Sequence, residues 1–337
     1  MLETRNSCPA CKSASNTKLL EISYSDPEVF AFLCAYYRHV NSETIRNRVR
    51  HGTLTIVECT GCGLLYQREI PDADFMREIY TDWIIEGDEL APTSKPLSEE
   101  YYTYLASEVM HLLSEQRSIV GSERRIRVLD FGMGWSGWLQ MARSFGAVVY
   151  GSELSEPKIA YARSIGVPVL NSAQVAEMQF DLVCTEQVFE HVPHPAELLE
   201  SLVASLAPNG YLKISVPSGQ AVKAMLLRWR WGDAIACQQD LMPIHPLEHI
   251  NCFTAQSLNA FAARYGLKRA AVSPLRAVAF SLGWNSTRTA IKNVLRPIYR
   301  FGLRRGTYAI FQRLSSGGTP LVLESASRDH GATHCCN

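Results

Sequence analysis

Three groups of residues in this chain carry chemistry. The first is Asp130 followed by Gly132, Gly134 and Gly137 in the stretch VLDFGMGWSGWL. Glycines let a backbone turn with positive φ and approach a ligand closely. A carboxylate just ahead of them draws a cation to the same corner. The second group is Cys8-Pro-Ala-Cys11 with Cys59-Thr-Gly-Cys62-Gly63. Four thiolates in two such knuckles suit a closed tetrahedral zinc site, structural because no coordination position stays open. The third is a set of histidines, His191, His194, His245 and His249. Histidine is the side chain whose unperturbed pKa suits a base near neutrality.

The elements that must position the first group are readable. Val128 and Leu129 form a short apolar run, and Trp138, Leu139, Met141 and Ala142 resume at helical spacing. Strand, tight turn and helix in that order open a doubly wound sheet. The glycines also fit the G-x-G-x-x-G dinucleotide fingerprint. Charge separates the two ligands. A pyrophosphate laid on the helix N-terminus is repelled by Asp130, whereas the sulfonium and ammonium of S-adenosylmethionine are attracted. The sequence therefore favours S-adenosylmethionine.

Further βα units follow. Val148–Gly151 reads as the second strand and leads to Glu153, with Leu154 beside it. An acid there suits both ribose hydroxyls of an adenosine; a solvated acid at a helix start is the plainer alternative. Val167–Leu170 reads as a third strand with Asn171 after it, and Phe180–Thr185 as the fourth, followed by Glu186 and Gln187. Tyr211–Val216, Lys268–Val272 and Pro320–Leu323 complete an expected seven-stranded, mostly parallel sheet.

The chain has 337 residues, 47% hydrophobic and 20% charged, with zero formal net charge. That is an ordinary globular composition, and nothing global points to nucleic acid. No apolar run approaches the roughly 18 residues of a spanning helix, and MLETRNSCPAC is unlike a signal peptide. Ten cysteines without an export signal suggest a reducing, cytoplasmic setting. The expected organisation is a zinc-binding segment over 1–70, a helical connector over 71–125, and a cofactor domain over 126–280 and 319–327. A basic insertion fills 281–318. The long gap between the cysteine pairs calls for an inserted helix near Asp26–Val40, Ala91–Pro96 for a linker, and Ser98 for the N-cap of a helix.

VLDFGMGWSGWL, GSELS, FDLVCTEQVFEHVPHP and LAPNGYLKISVP resemble the successive motifs of class I S-adenosylmethionine-dependent methyltransferases. The cysteine pairs and PLEHINCFTAQSLNAFAARYG are similar to a branch with an N-terminal zinc-ribbon-like segment, several members of which act on sugars, glycans or small metabolites. The resemblance implies a Rossmann-like α/β fold and a methionine cradle at Asp130, Gly132, Gly134 and Gly137. It also implies a ribose acid at Glu153, adenine contacts near Asn171, and Glu186 and Gln187 beside the methyl group. Two departures stand out. Ser136 replaces a glycine of the loop. Some relatives hold a divalent metal with E-x-x-E-H, but Gln187 stands at its first position, leaving Glu190 and His191 without their partner.

Methyl transfer needs positioning and, for a hydroxyl acceptor, a base. His249 and then His191 are the candidates, against capping or packing roles. The expected acceptor is a sugar, glycan precursor or related metabolite, with oxygen favoured. The alternatives are a non-catalytic cofactor-binding recruitment module or an RNA methyltransferase. No N/D-P-P-Y/F follows strand four, which lowers the nucleic-acid reading. From 249 to 323 there is no acid, and Arg288, Lys292, Arg296, Arg300 and Arg304 recur every four residues. Such a basic amphipathic stretch over 288–313 suits an anionic membrane surface or an acidic substrate. A solvated lid whose apolar face packs on the fold explains it equally.

Overall fold

A computed structural model describes residues 1–84, 98–228, 231, 241–284 and 286–313. The linker at Ala91–Pro96, the strand expected at Pro320–Leu323 and the tail lie outside the described residues.

Strands β1 (Leu2–Thr4), β2 (Asn16–Ser23), β3 (Thr53–Cys59), β4 (Leu65–Gln67) and β5 (Glu69–Pro71) build the N-terminal part. The helix expected between the cysteine pairs spans Pro27–Tyr36, started by Asp26, whose carboxylate accepts from the Glu28 and Val29 amides. Ser42–Val49 adds a second helix. After the helix Ala73–Glu78 comes the 22-residue helix Glu99–Val120, capped as expected by Ser98, whose side chain accepts from the Tyr101 amide. Leu105, Val109, Leu112 and Leu113 form its buried stripe.

The main sheet comprises β6 (Arg127–Phe131), β7 (Val148–Ser152), β8 (Phe180–Glu186), β9 (Leu206–Ser215), β11 (Leu267–Arg269) and β12 (Tyr308–Arg313). Its order is β11-β12-β9-β8-β6-β7. The β6–β7, β6–β8 and β8–β9 pairs are parallel, whereas β12 runs antiparallel to β9 and β11. Helices Gly137–Ser144, Glu156–Ser164 and Pro195–Ala204 make the crossovers. This is a mixed α/β, Rossmann-like architecture.

It differs from the expected seven strands in two places. Val167–Leu170 is reduced to a single parallel bridge, Gly151 to Val169. The run is short, and Pro168 within it has no N–H to donate to a ladder. The strand antiparallel to β9 is Tyr308–Arg313, which lies inside the stretch read as an insertion. Arginines on either side hid its apolar core, Tyr308–Phe311, although those residues are almost completely buried.

The remaining strand, β10 (Asn251–Cys252), pairs with β4, giving a second sheet ordered β10-β4-β3-β2. The N-terminal segment is thus completed by residues from far along the chain. A shared core follows the same path: Phe32, Leu33, Leu54 and Phe75 pack with Val222, Leu241, Ile244 and Leu247.

Candidate active site

The glycine loop leaves β6 at the C-terminal edge of the sheet, where doubly wound folds bind ligands. Gly132 and Gly134 have φ of +78° and +52°. A Cβ on Gly132 would come within 2.7 Å of Val188, so a side chain is excluded there on contact as well as on conformation. Ser136 resolves the departure noted in the sequence. It takes the left-handed position itself, at φ +61°, fully buried, while Gly137 begins the helix. Serine thus stands at a backbone conformation that glycine adopts more cheaply.

Asp130 ends the buried part of β6 and is 5% exposed. Burial pushes its carboxyl up to about 7, opposed by Lys213 and reinforced by Glu186, Glu108 and Glu153. Such a site is short of positive charge. Glu153 follows the adjacent strand β7, and its carboxylate accepts from the amides of Gly134 at 2.9 Å, Leu154 at 2.8 Å and Ser155 at 3.1 Å. The acid and the glycine loop therefore face one another across the strand pair. Leu154 is 95% exposed beside them. Asn171 serves as a helix cap, its side chain accepting from the Gln174 amide at 2.9 Å.

Glu186 lies at the end of β8, where Ser215 donates to it at 2.8 Å and Lys213 reaches it at 2.6 Å. Gln187 follows with φ +53° and its amide bonded to the Ser215 carbonyl at 2.8 Å. Lys213 also meets Glu108 at 3.1 Å, and Trp138 donates to Glu108 at 2.9 Å. Sequence reasoning missed this ionic core. Two signals were present: a lone lysine inside the apolar run of β9, and an acid on the same helical face as Leu105 and Leu112.

His191 and His249, far apart in sequence, meet with ring centroids 4.6 Å apart. Nδ1 of His191 lies 3.1 Å from the Glu248 carbonyl, and Nδ1 of His249 bonds the Met242 carbonyl. A carbonyl only accepts, so each Nδ1 carries the proton and each Nε2 presents a lone pair. The Tyr80 hydroxyl lies 2.6 Å from His191 Nδ1. Burial lowers both rings, His191 to about 3 and His249 to about 4, so both are neutral at physiological pH. His245 stacks among Phe32, Tyr36 and Tyr37 and is a core residue.

Glu190 lies beside this pair, 1% exposed, with neither carboxylate oxygen hydrogen-bonded among the described residues. Glu190, His191 and His249 offer one ligand atom each, all within 4.8 Å of one another. The partner that the spacing around Gln187 did not provide thus comes from His249. An unsatisfied buried carboxylate with two imidazole lone pairs fits a divalent cation.

The N-terminal segment holds His249 in place. Gln67 donates to the carbonyls of His245 at 2.7 Å and His249 at 3.1 Å. Asn251 donates to Phe189 and Val192, locking the same loop to the turn after β8. The four cysteines of this segment are all buried, with Cys8 and Cys62 sulfurs 3.6 Å apart and Cys11 and Cys59 3.4 Å apart. Their sulfurs all fall within 4.8 Å of one another, a set that could hold a metal ion.

A Rossmann-like sheet edge with an acid-flanked glycine loop is what the fold and the site define. The family described as a methyltransferase domain matches residues 98–272, and the chain belongs to it. The ubiquinone biosynthesis O-methyltransferase of Bordetella avium is 30% identical over 110 residues, covering 29% of this chain and 46% of that protein. Its counterpart in Bordetella pertussis is 32% identical over 106 residues, 28% of this chain and 44% of that protein. The chain thus spans less than half the length of these curated relatives. Among solved structures, the plantazolicin methyltransferase BpumL in complex with SAH is similar at 12% identity and a TM-score of 0.38, covering 72% of this chain and 91% of that one.

Proposed function

We propose that this protein is an S-adenosylmethionine-dependent methyltransferase that methylates a hydroxyl of a small molecule, a sugar, glycan precursor or related metabolite. The observation that carries the reading is the pairing of Asp130 and Glu153 around one glycine loop. Asp130 supplies the negative charge that the methionine ammonium and sulfonium require. Glu153 exchanges its loop amides for ribose hydroxyls, Leu154 covers the adenine face, and Asn171 caps the helix beside it. Glu186 and Gln187 border the methyl group. Relatives whose name includes O-methyltransferase support oxygen as the acceptor atom.

Displacement at the sulfonium is in line, so positioning does most of the work. His249 and His191 offer neutral Nε2 lone pairs for the acceptor proton. A divalent ion held by Glu190, His191 and His249 would take up those same lone pairs and, in place of the histidine base, acidify the acceptor hydroxyl. Cys8, Cys11, Cys59 and Cys62 hold a structural zinc in this reading, and the zinc segment serves to fix the His249 loop. Among the described residues no helix is long and apolar enough to cross a membrane.

Calorimetric titration with S-adenosylmethionine, its demethylated product and NAD tests the proposal. Micromolar binding of the first two is expected. Binding of NAD alone would overturn the reading of Asp130, and binding of none of them would overturn the proposal.

A further inference from the structure

The helix Thr287–Pro297 and the π-helical segment Ile298–Gly302 fold over Glu99–Val120 and form with it a half-open cavity of about 450 Å³. Lys292, Arg296 and Arg300 share one helical face, and all three line that cavity. The helix is turned the opposite way from a lid packed by its apolar side: Ile291, Leu295 and Ile298 are 54%, 58% and 42% exposed. Cations point inward and hydrocarbon outward, so the cavity rather than apolar packing accounts for the orientation.

Arg296 lies 4.9 Å over the Tyr104 ring, and Arg300 lies 3.8 Å over the Tyr308 ring while donating to the Tyr104 hydroxyl at 3.2 Å. Stacking engages the face of a guanidinium and leaves in-plane N–H donors for a ligand. Among the described residues neither arginine has a carboxylate at ion-pair distance. The acids in the wall are already engaged, Glu100 by Lys292 at 3.1 Å and Glu108 by Lys213 at 3.1 Å. His111 also lines the cavity, 4% exposed, with Nε2 lacking a hydrogen bond among the described residues and Glu115 3.7 Å away.

Position ties the cavity to the chemistry. Tyr308 pairs with Ser215 at the end of β9, so the segment before it covers the same sheet edge as the glycine loop. The cavity wall residue Glu108 bonds Trp138, in the helix that follows that loop. A volume of this size accommodates a small metabolite.

We propose that this cavity binds the phosphate-bearing end of the methyl acceptor, with Arg296 and Arg300 as its principal donors and Lys292 beside them. The inference rests on the methyl-transfer reading above, and the two fail separately. Arginine forks match phosphate oxygens two at a time, which a neutral sugar does not exploit.

The test is titration of the full chain with glucose 1-phosphate, with glucose, and with phosphatidylcholine vesicles carrying phosphatidic acid, S-adenosylmethionine binding being measured in parallel. Binding of glucose 1-phosphate but not glucose, weakened about tenfold in Arg296→Gln and only partly restored in Arg296→Lys, which keeps the charge but loses the fork, is expected. Binding to the acidic vesicles alone, with the same dependence on Arg296, assigns the phosphate to a lipid headgroup. Binding of glucose as tightly as its phosphate, or of neither the sugar phosphate nor the vesicles, overturns the inference while intact cofactor binding leaves the methyltransferase standing. Phosphate binding without cofactor binding does the reverse. Unchanged cofactor affinity in Arg296→Gln shows that the variant is folded.

Discussion

Lys213 places its ammonium 2.6 Å from the carboxylate of Glu186, from a strand position where only 2% of the lysine side chain is exposed. Glu108 shares the same ammonium at 3.1 Å. The lysine is held charged well above its ordinary range by these two acids, against the pull of burial. Lys213→Met leaves Glu108 buried without its counter-charge and is expected to cost about 3–5 kcal/mol. Denaturant unfolding measures it, and Lys213→Met with Glu108→Gln should recover part of the loss. An unchanged midpoint in the single variant would show the ionic core to be dispensable.

Asp130 gives the protein a pH dependence of known sign. Its folded pKa of about 7 exceeds the ordinary 3.8, so the native state binds more protons between those values. Stability from this group is therefore present below 3.8 and falls as pH rises through that window. Cofactor affinity runs the other way, because the cation selects the ionised form. S-adenosylmethionine is expected to bind about tenfold more weakly at pH 6 than at pH 8. Calorimetry across that range should show the slope in the native protein and a flat, weak profile in Asp130→Asn.

Glu153 presents a second, separable test. Glu153→Ala should reduce cofactor affinity at least about tenfold while the sheet stays folded, since two charge-assisted hydrogen bonds are lost. The circular dichroism spectrum checks the fold. Unchanged affinity would remove Glu153 from the ribose site.

Metal analysis addresses the cysteines. About one zinc per chain is expected, falling to near zero in Cys59→Ser, with a lower melting temperature. Folded, metal-free protein with the native melting temperature would refute the zinc assignment.

At the Glu190 cluster, manganese should raise the melting temperature of the native chain, and Glu190→Gln should abolish the shift. A shift that survives the substitution would place the ion elsewhere.

The sequence was informative where spacing and chemistry coincide. Asp130, the glycine loop and Glu153 lie within one strand–turn–helix–strand stretch, so their meeting is local. The same holds for each C-x-x-C knuckle and for the Ser98 cap. His191 with His249 could not be read as a pair, because β10 pairing with β4 brings them together and two-residue strands leave no periodicity. Lys213 with Glu108 is invisible for a related reason: its partners lie 105 residues apart. The strand at Tyr308–Arg313 was lost among flanking arginines, Arg304 and Arg305 before it and Arg313 at its end.

Pairing of β10 with β4 also governs how the protein is made. On the ribosome, the cysteine-bearing segment emerges before β10, and its sheet lacks an edge until Asn251 and Cys252 have been translated. Until then the exposed side of β4 is an open template, and thiols near it stand accessible to oxidation or to foreign metal. Expressed by itself, the N-terminal stretch is therefore expected to aggregate rather than behave as an independent module. Swapping it between related chains would require moving the 241–252 loop with it.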